Sequence, residues 1–303
     1  MINHRAIYRS ILSGSFHRMF PKKSGEMFRP IVLFLILISL LWQTSSSQER
    51  DTVDVGLDSL LNVQITPSSS SLSVPVSSAA RYQQILGEAP SSVTVVTADE
   101  IARYGYRTLI EVLDHVRGFY RSDDRNYSYV GVRGFGRPTD YNNRILELLN
   151  GHPLNDNYYG AASVGSDLGI DLSCLDRIEI VRGPSSALYG AGAMFAVINL
   201  ITKEGRSLEG GHIGGTWGSY RHSQATFLAG KDFENGFDFL VSGVYSNTGG
   251  PDVYFQEFDS DSTNRGVAQH LDWEWYYNLT TSMNYNGFSL TGTYTTRGKG
   301  IPT

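Results

Sequence analysis

The apolar positions of the chain change their period near Lys203. Upstream, from about Ala89, short stretches of period two alternate with stretches of helical period; downstream, period two runs almost alone. Ser92–Thr97 sets Val93 and Val95 on one face of a short strand. Thr97-Ala-Asp-Glu100 and Thr108-Leu-Ile-Glu111 both have the spacing of a capping box, in which a hydroxyl and a carboxylate satisfy the exposed amides of a helix start. Two helices are therefore expected, the second burying Leu109, Val112, Leu113 and Val116 and stopped at Gly118. Strands follow over Tyr127–Phe135 and over Arg144–Leu149, the latter ending in an Asn150-Gly151 turn. After a loop rich in Asn, Tyr and Gly come a strand at Leu175–Val181, one helical turn at Ser185–Tyr189, and a closing strand at Val197–Thr202. The sum is a small α/β domain over residues 89–205.

Residues 206–303 read differently. Leu271, Trp273, Trp275, Tyr277 and Leu279 share one face of a strand while Asp272, Glu274, Asn278 and Thr280 lie mostly on the other, and Phe288, Leu290 and Tyr294 alternate with Ser289, Thr291, Thr293 and Thr295. Weaker alternation covers Gly210–Trp217, Ser223–Lys231 and Phe237–Tyr245. Segments of about ten residues with aromatic ends suit transmembrane β-strands. A soluble antiparallel sheet with one face on a core alternates in the same way. Four to six strands fit, short of the roughly eight that close a single-chain barrel, so these residues are expected to form only the first part of one.

The N-terminus shifts the balance between those readings. Arg5, Arg9, Arg18, Lys22, Lys23 and Arg29 precede an apolar run, Ile31–Trp42, and small polar residues at Thr44–Ser47. Residues 1–48 thus read as an export signal with an extended basic region, an uncleaved anchor being the alternative, and translation starting at Met1, Met19 or Met27. Residues 49–88, acidic and then serine-rich, read as a flexible leader. An exported chain that is embedded beyond its signal must be so as a barrel, since only helices and closed barrels satisfy the backbone in lipid.

Composition then narrows the chemistry. The net charge of -5 and the lack of a basic patch argue against a nucleic-acid partner. One cysteine, Cys174, excludes an internal disulfide and a multi-cysteine metal site, and His152 and His212 lack partners at metal-ligand spacing. No GxSxG elbow, HExxH motif or Walker loop is present, so no catalytic residue is assigned and the chain is not read as an enzyme.

Six blocks in a fixed order carry a resemblance: Ala89-Pro-Ser-Ser-Val-Thr-Val-Val-Thr97 with Asp99-Glu-Ile101, Leu109–Gly118, Val132-Arg-Gly-Phe135, Ile145–Gly151, Asp176-Arg-Ile-Glu-Ile-Val-Arg-Gly-Pro184 with Ser186-Ala-Leu-Tyr-Gly190, and Val197-Ile-Asn-Leu-Ile-Thr-Lys203. Together they resemble the plug domain of the TonB-dependent outer-membrane receptors, followed by the first barrel strands of a fragment or truncated member. The resemblance implies a plug inside a barrel wall, in contact with outer-membrane lipid, that imports a bulky ligand such as a siderophore or cobalamin. It implies no cofactor, a cargo that can be a metal chelate, and a TonB-type energising protein of the inner membrane as partner. Asp51, Thr52, Val53, Asp54 and Val55 look like the TonB box that pairs with that protein as an added strand, a plain acidic linker being the alternative. Arg133, Glu179 and Arg182 match positions of a polar network between plug and wall, and Gly134, Asn150, Gly151, Gly183, Pro184 and Gly190 match tight turns.

The family often has Asp-Gly where this chain has Asn150-Gly151, and Met194 and Phe195 enlarge the Gly192–Ala196 segment. For the ligand, Arg137, Asp140 and Tyr141 in one loop and Asn155, Asn157, Tyr158 and Tyr159 in another combine hydrogen-bonding groups with tyrosine faces. Loops that only pack against other loops are the alternative. The competing functions are a soluble periplasmic plug-like binding module and a non-functional truncated receptor.

Overall fold

A computed structural model describes residues 75–78, 82, 84, 85 and 91–302, apart from 191 and 209. The export signal and Asp51–Val55 lie outside the described residues.

Two short strands, β1 (Pro75–Val76) and β2 (Gln84–Ile85), pair antiparallel. The plug sheet consists of β3 (Ser92–Thr97), β6 (Ile145–Leu149), β7 (His152–Pro153), β8 (Leu175–Arg182) and β9 (Ala196–Thr202), in the order β3-β8-β9-β6-β7. Only β6 and β9 run parallel. Both faces of this sheet are covered, which is why its strands read as nearly continuous apolar runs. Val96, Ile178, Ile180, Ile198 and Leu200 point to a core shared with α1 (Ala98–Tyr104) and α2 (Leu109–Asp114). Val93, Val181, Val197, Leu146 and Leu148 pack on the opposite face, with Tyr189 of α3 (Ser186–Tyr189).

Local chemistry explains the helix ends. At α1 the capping box forms in both directions, with Thr97 accepting from the Glu100 N–H at 3.3 Å and Glu100 accepting from the Thr97 N–H at 2.8 Å. The second box does not form. Thr108 makes no side-chain cap, because Glu111 turns instead to the Arg107 N–H at 2.8 Å and the Arg107 guanidinium at 3.1 Å. α2 ends at Asp114, and Gly118, with φ +93°, feeds not a helix stop but a strand the pattern did not reveal, β4 (Phe119–Asp123). β4 forms a hairpin with β5 (Ser128–Val132). Asn150 and Gly151, at φ +50° and +85°, make the tight turn from β6 to β7.

Beyond the plug, β10 (Gly210–Gly218), β11 (His222–Asp232), β12 (Phe237–Thr248), β15 (Glu274–Tyr285) and β16 (Phe288–Lys299) form one antiparallel sheet in chain order, here called the wall. Between β12 and β15 a long loop carries the pair β13 (Val253–Tyr254) and β14 (Val267–Ala268). The strand expected from Leu271 starts only at Glu274, since Asp272 is buried against Arg125 and Lys299.

The wall is apolar on the side away from the plug. The register places Ile213 beside Phe227, Phe227 beside Gly243, Val241 beside Thr281, Leu279 beside Tyr294 and Met283 beside Leu290, all on the outer face. Ile213 is 91% exposed and Trp217 82%. The inner face carries the buried Ser242, Ser246, Asn278, Thr280 and Ser282. A soluble sheet packed on the plug has the opposite polarity. Aromatic groups band both ends: Phe233, Phe237, Tyr285 and Phe288 by the short turns, and Trp217, Tyr245, Trp275, Tyr277 and Tyr294 by the long loop. From Tyr277 to Tyr285 the strand rises about 26 Å at about 3.3 Å per residue, the scale of an outer-membrane apolar band between two girdles. These are transmembrane β-strands of a wall that five strands leave unclosed.

Two wall side chains, Leu228 of β11 and Leu240 of β12, belong to the plug's own apolar core.

Candidate ligand ledge and plug–wall interface

The two loops singled out for ligand contact fold around buried or bonded polar groups that leave their tyrosines free. Asn142 sits in left-handed backbone, φ +58°, and is buried; its Oδ1 accepts from the Val130 N–H at 2.8 Å, and its Nδ2 donates to the carbonyls of Ser128 and Ala162 at 3.1 and 3.0 Å. That one side chain ties β5 to both loops. Asn155 does the same for the second loop, donating to Ile145 and Gly160 carbonyls and accepting from the Glu147 N–H. The Asp156 carboxylate accepts from the N–H groups of Tyr158, Tyr159 and Ala161 at 2.7, 2.8 and 2.7 Å, which holds its pKa below the ordinary range.

The product is a chain of aromatic rings. Tyr158 meets Tyr159 edge-on at 4.5 Å, Tyr159 lies 6.4 Å from Tyr141, and Tyr141 meets Tyr127 edge-on at 5.6 Å. Tyr158 is 84% exposed. The far end of the chain reaches the wall, where the Arg297 guanidinium of β16 lies 6.0 Å from the centre of the Tyr127 ring. Arg297 is near the loop end of β16, so the tyrosine ledge faces the end of the wall that carries the long loop.

The same arginine is the centre of the plug–wall interface. Arg297 donates to Glu274 at 2.6 Å and, through its two terminal nitrogens, to the side-chain and backbone oxygens of Asn126 at 3.2 and 2.7 Å. Ser166 of the plug donates to Glu274 at 2.5 Å. Beside it, Asp272 pairs with Arg125 of the plug at 3.3 Å and with Lys299. A cavity of about 560 Å³ opens between these groups and the plug. None of these contacts was singled out from the sequence. The signal was available as Glu274, Arg297 and Lys299, charges confined to the inner positions at one end of two otherwise uncharged strands.

Residues 86–197 match the family profile of the TonB-dependent receptor plug domain. Over those residues the chain carries a TonB-dependent receptor plug domain. Over 181 residues it is 33% identical to the vitamin B12 transporter BtuB of Vibrio vulnificus, covering 59% of this chain and 28% of that one. It is 32% identical over 166 residues to the ferrichrome outer membrane transporter/phage receptor of Escherichia coli, covering 52% and 19%. Among solved structures, the pyoverdine-bound receptor FpvA of Pseudomonas aeruginosa superposes with a TM-score of 0.54 at 22% identity, covering 77% of this chain and 31% of that one, a likeness of fold. The chain thus spans under a third of the length of these relatives. Plug and apolar-faced wall together make it an outer-membrane protein.

In this chain the described contacts of Arg133, Glu179 and Arg182, the residues matched to a plug–wall network, lie within the plug or with Ser77 and Ser78. Glu179 is fully buried on the second face of the plug sheet and pairs with Arg177 at 2.9 Å. Arg133, at φ +52°, donates to the Arg182 carbonyl at 3.2 Å, and Arg182 donates to the Arg117 carbonyl at 2.8 Å. Partial burial first, and the neighbouring Arg133 and Arg117 guanidiniums second, lower the pKa of Arg182, and none of these three arginines pairs with a carboxylate among the described residues. Of the loop candidates, Asn155 is structural, Asp140 accepts from the Asn142 N–H, and Arg137 and Asn157 are exposed beside the ledge. Gly134, Gly183 and Gly190 have positive φ, with Pro184 exposed between the last two. Phe195 stacks on Phe135 at 6.1 Å under Arg144.

Proposed function

We propose that this chain is the plug and first wall strands of an active transporter rather than an enzyme, with no cofactor of its own, importing a bulky ligand of the siderophore or cobalamin class that can be a metal chelate. The observation that carries this is the rigid tyrosine ledge at the loop end of a lipid-facing wall. A row of phenol rings with hydroxyls, flanked by Arg137 and Arg297, offers apolar faces and hydrogen bonds together, as a conjugated, oxygen-rich chelate requires. The matched relatives are a vitamin B12 transporter, a ferrichrome transporter and a ferripyoverdine receptor, whose ligands fall in the same chemical range. On this reading a TonB-type protein engages Asp51–Val55 and works on the plug through the leader, and the Arg117, Arg133 and Arg182 cluster takes carboxylates from the wall.

The test is binding of a panel of ferric hydroxamates, ferric catecholates and cobalamin to the purified chain in detergent, by quenching of its tryptophan and tyrosine fluorescence. One class is expected to bind, and Tyr158→Ala with Tyr159→Ala to weaken it by about tenfold or more with the melting temperature unchanged, both rings being exposed. Binding that is indifferent to both substitutions removes the ledge from the mechanism. The soluble-module alternative is disfavoured by the outward apolar face of the wall.

A further inference from the structure

A pair of serines ahead of the plug is held by a fully buried carboxylate. Glu179 Oε2 accepts from the Ser77 N–H at 3.0 Å, the Ser78 N–H at 2.9 Å and the Ser78 hydroxyl at 2.6 Å, while Oε1 takes the Arg177 guanidinium. The remaining polar functions of Ser78 are met as well: its Oγ accepts from Asn199 Nδ2 at 3.1 Å and its carbonyl from the Tyr189 hydroxyl at 3.0 Å. Ser78 and Val76 are buried, and β1 beside them pairs with β2. The plug sheet therefore carries a built socket, lined by Glu179, Asn199 and Tyr189, for one dipeptide of the preceding chain.

Its position along the chain gives it a mechanical meaning. Tension applied before Pro75 passes through the two-residue strand β1 to Ser77 and Ser78, and reaches β3 only after the connection from Ser78 to Ser92 has been drawn out. We propose that the Ser77–Ser78 socket on Glu179 is a force-release latch, which lets go before the β3–β8 ladder is loaded and re-forms when tension stops. This rests on the transporter reading, in which the leader is pulled. Release leaves Glu179 Oε2 and Asn199 Nδ2 without partners in the plug while Arg177 stays on Oε1, and buried polar atoms stripped of hydrogen bonds are costly, so the open state favours re-docking. The ladder, by contrast, joins β3 to β8 over Ser92–Thr97 and shares the load among its bonds. Release frees at most about 48 Å of chain, 14 residues at about 3.4 Å each.

The experiment stretches the full chain in detergent between its N-terminus and Thr303, alongside amide hydrogen exchange on the unstretched protein. The expected result is a first extension of no more than about 48 Å ahead of plug unfolding. Ser78→Ala, which keeps the Glu179–Arg177 pair, is expected to speed exchange at Ser77 and Ser78 roughly ten- to hundredfold, the weight of one charge-assisted bond, with β8 amides unchanged. Glu179→Gln is expected to abolish the first extension. Unravelling of β3–β8 before any short extension, or Ser77 and Ser78 amides indifferent to Ser78→Ala, overturns the latch. Should Glu179→Gln unfold the plug, Ser78→Ala decides alone. A latch that behaves as expected in a chain that binds no ferric hydroxamate, ferric catecholate or cobalamin leaves the latch standing and removes the transporter reading.

Discussion

Glu147 lies on β6, inside the plug core, and is the group whose removal is expected to strengthen the fold. Its side chain is fully buried; Oε2 accepts a single N–H, from Ser163 at 3.2 Å, and Oε1 has no partner among the described residues. Burial first, and the Asp167 charge second, hold its pKa well above the ordinary 4.5, with the Ser163 N–H pulling weakly the other way. The sign follows from linkage. Below pH 4.5 both folded and unfolded chains carry the proton and Glu147 contributes nothing to pH dependence. Above it the unfolded chain loses the proton while the plug keeps it, so stability falls as pH rises, by about 1.4 kcal/mol per pH unit until the folded group itself ionises. Glu147→Gln keeps an acceptor for Ser163 and abolishes the titration. The variant is expected to match the wild type within about 1 kcal/mol at pH 4. It is expected to exceed the wild type by a margin growing at about that slope toward neutrality. Opening free energies of the β6–β9 amides, from hydrogen exchange corrected for intrinsic rates between pH 4 and 8, measure this margin. A margin that stays flat across that range refutes the assignment of a neutral, desolvated carboxyl.

Two further outcomes test the interface. Arg297→Ala removes three hydrogen bonds to Glu274 and Asn126 at a site only 16% exposed, and is expected to cost about 2–4 kcal/mol of plug–wall docking, read as faster exchange around Asn126, with Arg297→Lys restoring only part. At the plug–wall junction a Cβ on Gly205 meets the Phe239 carbonyl oxygen at 2.3 Å and that of Lys231 at 2.7 Å, backbone atoms that no rotamer change can move. Gly205→Ala is expected to destabilise by about 2 kcal/mol or more in thermal melts, against a near-neutral Gly192→Ala control, whose Cβ finds Leu146 at 3.7 Å.

The elements were largely legible because their signals are local. The first capping box, the Asn150-Gly151 turn and the alternation of β15 and β16 all act within a few residues. β4 was not legible, since Phe-Tyr-Arg-Ser-Asp has no clear period and is a strand through its pairing with β5. The second capping box failed by competition, with Arg107 offering Glu111 a charged partner one turn away. Alternation located the wall strands but could not say which face meets the plug, because period two is the same read from either side. Tertiary contact also decided Glu179: nothing in Arg-Ile-Glu-Ile-Val marks it for a serine pair about a hundred residues earlier. The ledge was half visible, its tyrosines by composition; the asparagines that brace it became assignable only from their bonding.

Leu228 and Leu240 have a consequence for how such a protein is made. Each sits on a wall strand, yet completes an apolar core that otherwise belongs to the plug. A plug finished in advance would present a greasy notch where these two side chains belong, and a wall inserted in advance would present them to a water-filled lumen. Neither half has a satisfactory state of its own, so assembly in the bilayer and closure of the plug core are expected to be one event, with the two leucines as its seam.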